Sequence, residues 1–258
     1  MTVTNITVSE TPLVLYTLRR ADDALILGHR LSEWCGHAPM LEEDMALANI
    51  GLDLLGQARE LYSYAANVEG KGNDEDKFAY LRDVRQYRNL LLVEQPNVDF
   101  ARTMMRQFFY AAFADLYWRA MMKSSDPTLA AIAAKSEKES AYHLRHSSEW
   151  IVRLGDGTDE SHARAQVAID DLWAFTGEMF AADDSERCLI DAGIAIDPAA
   201  LHEPWLQTVA DVVSEATLAL PKGNWMQQGG RGGQHSEHLG HLLSELQSMQ
   251  RTFPGATW

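Results

Sequence analysis

Apolar residues along this chain recur at steps of three and four, and the every-second-residue alternation of strands is nearly absent, so the pattern predicts helices throughout. The first helix is expected from about Leu13 to Gly36, where Gly36 and Pro39 supply stop signals; the adjacent Asp22 and Asp23 are positions where it could break. A second helix, from about Met40 to Asn67, opens with Glu42, Glu43 and Asp44, acids that suit a helix N-terminus. Its apolar residues fall on two stripes, Leu41, Met45, Ala48, Leu52, Leu55 and Leu47, Ile50, Leu54, Ala58, Leu61, Ala65. That pattern predicts a core helix packed on two sides. The polar run EGKGNDED, Glu69 to Asp76, reads as a linker, followed by short helical pieces between Phe78 and Val93. Pro96 restarts the chain, and a long helix from about Asn97 to Lys123 ends before Asp126-Pro127, an N-cap followed by proline at the first helical position. The helix so started should run to Leu154, ahead of Gly155 and Gly157. Further helices are expected at about Asp159 to Ala182, Pro198 to Leu220 and Gln234 to Arg251, the last preceded by a flexible GGRGG loop from Gly229 to Gly233. Long helices joined by short polar turns, with no repeat and no shift in composition, predict one all-α domain over residues 1–258, an elaborated four-helix bundle.

Composition narrows the function more than the fold. Apolar residues are 46% and charged residues 23% of 258, ordinary for a globular protein able to bury a large core. No apolar run approaches the roughly 18 residues needed to span a bilayer. The opening MTVTNITVSETP lacks the basic-then-apolar order of a signal peptide, which makes the cytoplasm the default location. Cys35 and Cys188 form neither a CxxC pair nor a disulfide framework. With 22 basic against 37 acidic side chains the net charge is −15, which excludes the basic footprint that nucleic acid or an anionic membrane requires.

Several ionisable residues interrupt the apolar stripes. His29 and Glu33 follow Ile26 in the first helix, Asp115 lies on the line Met104, Phe108, Ala111, Trp118, Met122, and Glu139, His143 and His146 sit between Ile132 and Trp150. Residues three or four apart share a helix face, so these groups could meet inside the bundle. Ferritin-like proteins place a di-iron centre there, built from one Glu on each of two helices and a Glu-x-x-His pair on each of the others. No such pair occurs on these faces: Glu139 and His143 are four apart, as are His29 and Glu33, and the core helix offers Asp53, Leu54, Gly56 and Gln57. The plainer expectation is a hydrogen-bonded polar network in the core, since a buried charge persists only when paired. His235, Glu237, His238 and His241 fall mostly opposite the stripe Leu239, Leu242, Leu246, Met249 and read as a solvated face. GGRGG lacks the Lys and Ser/Thr of a phosphate loop, and there is no G-x-S-x-G elbow.

The text from Leu15 to Arg59, LYTLRRADDALILGHRLSEWCGHAPMLEEDMALANIGLDLLGQAR, resembles the structural subunit of the phenylacetyl-CoA monooxygenase (epoxidase) complex of aerobic phenylacetate degradation. The resemblance continues through LLVEQPN (Leu91 to Asn97), KESAYHLRHS (Lys138 to Ser147), RLGDGTD (Arg153 to Asp159), EATL (Glu215 to Leu218) and HSEHLG (His235 to Gly240), so it covers nearly the whole chain. It implies a ferritin-like fold and a cytoplasmic complex. The partners would be a related catalytic di-iron subunit, a small bridging subunit, and an NADPH-using reductase carrying flavin and iron-sulfur. Carried over from the catalytic relative, ligand positions fall on Glu33, Leu54, Gln57, Ala111, Ser140 and His143, and only Glu33 and His143 keep a ligand type. The resemblance therefore implies a vestigial core polar cluster of Glu33 and His143, with Gln57, Glu139, His29 and Asp115 nearby. It implies no catalytic residue, cofactor or metal in this chain. The competing readings are an independent di-iron oxygenase or ferroxidase using Glu33, Glu139, His143, His29 and Asp115, and a helical binding protein with a polar internal cavity. Self-association of the isolated chain through its partner surface is a further expectation.

Overall fold

The computed structural model describes residues 5–223 and 225–256; the first four residues of the N-terminal segment read above lie outside them. In chain order the helices are α1 (Pro12–Ser32), α2 (Leu41–Glu69), α3 (Glu75–Tyr80), α4 (Leu91–Glu94), α5 (Phe100–Met121), α6 (Pro127–Gly155), α7 (Asp159–Leu172), α8 (Asp184–Asp191), α9 (His202–Glu215), α10 (Glu237–Leu246) and α11 (Ser248–Thr252). There is no β-strand among the described residues, and no helix there is long and apolar enough to cross a membrane. The fold is all-α and ferritin-like.

Local chemistry explains most of the boundaries. The Asp99 carboxylate accepts from the Arg102 N–H at 2.8 Å and starts α5. Asp126 accepts from the Thr128 and Leu129 N–H groups at 2.9 and 3.0 Å ahead of Pro127, starting α6 as the sequence predicts. α2 ends on Gly70 at φ +65°, a left-handed cap that glycine adopts without strain.

Two antiparallel helix pairs, α1 with α2 and α5 with α6, form the bundle. α1 and α2 touch backbone to backbone: a Cβ on Gly28 would lie 3.2 Å from the Gly51 carbonyl oxygen, and one on Gly51 would lie 3.3 Å from that of Gly28. The Tyr16 and Tyr117 hydroxyls, 2.5 Å apart, tie α1 to α5. On the outer side of α5, Phe109, Trp173 and Trp205 pack together, and the Trp205 indole donates to the Phe109 carbonyl at 3.0 Å.

Several expectations change. α1 does not break at Asp22-Asp23, because both carboxylates are fully buried and neutralised. Asp22 pairs with Arg82 and accepts from the Tyr62 hydroxyl at 2.6 Å and the Arg88 N–H at 2.7 Å. Asp23 takes Arg231 bidentately at 2.7 and 2.9 Å and the Leu90 N–H at 2.7 Å. GGRGG is therefore no flexible loop but a 3-10 turn, Gly230–Gly232, that drives Arg231 down onto α1. The helix expected to reach Ala182 stops at Leu172 and continues as 3-10 turns Trp173–Phe175 and Gly177–Phe180; α8 had no forecast. The helix expected over 198–220 is a 3-10 turn followed by α9, and the last is split into α10 and α11. His235 precedes α10 and is buried, its Nδ1 2.8 Å from Glu94 Oε2, so it is not on a solvated face.

The reading of α2 as a helix packed on two sides also fails. Leu47, Ile50, Leu54, Ala58, Leu61 and Ala65 are buried, but Leu41, Met45 and Leu52 are 72%, 59% and 66% exposed. The helices buried nearly all round are α1 and α5.

Burial opposes the Arg82 cation, and the adjoining Asp22 carboxylate more than offsets it, holding its pKa above the usual arginine value. Asp22→Ala strands that buried guanidinium, and the expected cost is about 3–5 kcal/mol in urea unfolding. A loss below about 1 kcal/mol would mean that solvent reaches Arg82 and the pair is not structural.

Candidate functional site

α2 and α6 are zipped by a ladder of polar pairs. From one end, Lys135 Nζ meets Glu60 Oε1 at 2.6 Å, Gln57 Nε2 donates to Glu139 Oε2 at 2.8 Å, His143 Nε2 lies 3.0 Å from Asp53 Oδ2, and His146 Nε2 lies 2.9 Å from Glu43 Oε2. The rungs follow from residues three or four apart on both helices, which bring each polar group to the shared edge. Gln57 and His143 are buried at 2% exposure each, and burial raises the Glu139 carboxyl above its ordinary pKa despite the Gln57 hydrogen bond. Sequence reasoning read Glu43 only as an acid at a helix start and Asp53 only as a position lacking histidine, so neither was a site candidate. Their signal was the match between Asp53–Gln57 and Glu139–His143, two four-residue spacings of complementary groups on helices that pair.

The remaining predicted residues do not join this ladder. Glu33 was expected in the core and is exposed, because it follows the last residue of α1, where the chain turns outward. It accepts from Arg30 at 2.7 Å and Asn97 at 2.8 Å. Gly28 lies level with Gly51 and Leu54, so Glu33, five residues on, sits about 7 Å further along the bundle than Leu54. Asp115 is buried on α5 and ion-paired with Arg119 at 2.9 Å; burial raises its pKa and Arg119 opposes that. His29 is half-buried on the opposite side of α2, has no hydrogen-bond partner among the described residues, and has its pKa lowered by burial. The six residues thus occupy four places rather than one cluster.

This geometry does not fit a di-iron centre. The positions that would supply ligands include Leu54, Ala111 and Ser140, all buried, while the nearby carboxylates Asp53 and Glu139 already hold protein partners. Among the described residues no three His, Cys, Asp or Glu side chains come close enough to hold a metal ion.

What the surface offers instead is the outward face of α2. Leu41, Met45 and Leu52 form an exposed apolar stripe, extended by Met40 at 48% exposure. Beyond Leu52 the ridge passes between two grooves. One of about 650 Å³ is lined by Gly56, Arg59, Ser63, Ile132 and Lys135, and one of about 430 Å³ by Leu25, His29, Leu55, Asp76 and Tyr80. A helical ridge flanked by grooves is the shape into which the helices of another bundle pack.

Over residues 2–258 the sequence matches the family of the phenylacetic acid catabolic protein. The chain belongs to that family. It is also similar to a subunit of the 1,2-phenylacetyl-CoA epoxidase of Escherichia coli (strain K12), at 53% identity over 246 residues, 95% of this chain and 99% of the relative. In this member of the phenylacetic acid catabolic family, then, the polar residues of the bundle act as a helix-to-helix clamp.

Asp53→Ala leaves the buried His143 ring without its partner and should cost about 1–3 kcal/mol in denaturant unfolding. Glu33→Ala, at an exposed helix end, should stay within about 0.5 kcal/mol. Equal losses from the two would contradict the separation of Glu33 from the clamp.

Proposed function

We propose that this chain is the structural, non-catalytic subunit of a cytoplasmic phenylacetyl-CoA epoxidase, working as a single ferritin-like domain. The observation that carries the proposal is the pairing of a core unfit for iron with a bare apolar face on α2. The complex reduces O2 with NADPH, placing one oxygen atom on the aromatic ring as an epoxide and releasing the other as water. The di-iron centre belongs to a related catalytic partner and the flavin and iron-sulfur groups to a reductase; the assembly also holds a small bridging subunit. This chain's part is mechanical: the stripe Leu41, Met45, Leu52 and its flanking grooves receive helices of the catalytic subunit and fix their positions. Large apolar interfaces of this kind are typical of obligate partners.

The test is co-expression with the catalytic subunit. A stable heteromer on size exclusion, with iron only in the partner, is the expected result. A chain that stays apart from the partner, or that loads stoichiometric iron by itself, overturns the proposal. Leu52→Glu, which adds charge to an already exposed site, should leave the melting temperature unchanged. It should weaken association by more than about tenfold, as loss of a central apolar contact does.

A further inference from the structure

The groove on the α1 side of the α2 ridge has a composition of its own. Its floor is apolar: Leu25 and Ala58 are buried, Leu55 is half-buried, and the Tyr62 ring lies beneath, its hydroxyl already committed to Asp22. His29 stands at its wall as an imidazole without a hydrogen-bond partner among the described residues. The rim comes from α3 and the C-terminal half of α2, and it carries Arg59, Glu75, Asp76 and Tyr80. Arg59 pairs with Glu75 at 3.6 Å, so these two charges offset each other. Lys77, the nearest other cation on α3, is turned to Asp74 at 3.8 Å and to the Gly72 carbonyl at 2.6 Å. Asp76 has no ion pair and no hydrogen bond among the described residues, although it is close enough to Tyr80 to raise that hydroxyl's pKa together with burial. The groove thus ends in one unneutralised carboxylate beside an aromatic ring, above an apolar floor and between polar walls.

We propose that this groove receives a long cationic side chain, lysine or arginine, from the catalytic subunit. The assignment rests on the subunit reading above. Charge complementarity selects the occupant. A carboxylate with its own cations engaged elsewhere attracts a positive group, and a chain of net charge −15 favours a basic contact surface. The trough matches the rest of such a side chain. Lysine and arginine lay their methylene stems on apolar surface while the charged head stays at the rim, here between the Asp76 carboxylate and the Tyr80 ring. An apolar side chain would leave Asp76 facing an interface with no counter-charge. His29 gives the groove an acceptor or donor for the backbone or for a water that arrives with the occupant. Leu55 and Arg59 belong both to the groove and to α2, so an anchor here would fix how far along the ridge the partner docks.

The experiment measures the affinity of the purified chain for the purified catalytic subunit at low and moderate salt, with three variants. Asp76→Asn should weaken binding about tenfold at low salt and flatten its salt dependence, and Asp76→Lys should weaken it further. Asp170→Lys, at an exposed position on α7, is the control for net charge and should bind as the wild type does. Asp76 has no ion pair or hydrogen bond among the described residues and only its place in the first turn of the short α3 to lose, so melting temperatures should change little, and a melt of each variant separates folding from docking. Wild-type binding with Asp76→Lys equally tight overturns the groove assignment and leaves the subunit reading standing. Equal losses from Asp76→Lys and Asp170→Lys also overturn it, because the effect would then be one of overall charge. No association by the wild-type chain overturns both.

Discussion

Two neighbouring carboxylates, Asp22 and Asp23, sit in the middle of a helix that water does not reach, and the way the rest of the chain wraps depends on neutralising them. A buried carboxylate is tolerated only with a counter-charge and filled lone pairs. Asp22 obtains both from Arg82, Tyr62 and the Arg88 N–H, and Asp23 from Arg231 and the Leu90 N–H. Burial raises the Asp23 carboxyl pKa, and Arg231 and Arg20 oppose that rise. The demands of α1 therefore dictate where two distant, irregular stretches must lie.

Those stretches are fastened by the same means. Glu94 accepts from Asn89, His235 and the Ser236 N–H, and Glu178 from the N–H groups of Gly229, Arg231 and Leu91. Segments without helix or sheet have backbone donors to satisfy, and in a buried setting side-chain carboxylates do it. With α1 strapped on its outer side and α5 covered by aromatic residues of the later helices, α2 is the long helix left with an uncovered apolar stripe. The exposed stripe on α2 thus follows from how the buried charges on α1 are resolved.

The sequence made the long helices legible because their signals are local. Asp126-Pro127 caps α6 as read, and the acids at the start of α2 lie where the dipole favours them. Two of the misreadings share one cause: the deciding partner was far along the chain. Asp22-Asp23 looked like a break because Arg82 and Arg231 are 60 and 208 residues away. GGRGG looked flexible for the same reason. The stripe Leu41, Met45, Leu52 looked like core, since periodicity reports that a face is apolar but not whether this chain covers it. Glu33 was placed inside by its spacing from His29, yet that spacing carried it past the end of α1. His143 was rightly flagged as unusual, but its partner Asp53 had been weighed only as a missing histidine.

The same clamp gives the bundle a source of register that needs no metal–ligand bond. In a di-iron bundle the ions draw carboxylates and imidazoles of four helices to one point, and metal–ligand bonds lock the register. Here carboxylates and imidazoles lie at the seam between α2 and α6 and bond to protein partners, while Leu54, Ala111 and Ser140 are buried. Register is then set twice without any ion, by the Gly28–Gly51 contact between α1 and α2 and by the polar rungs between α2 and α6. Both constraints meet on α2. The helix that bears the exposed stripe is therefore fixed against its neighbours on two sides.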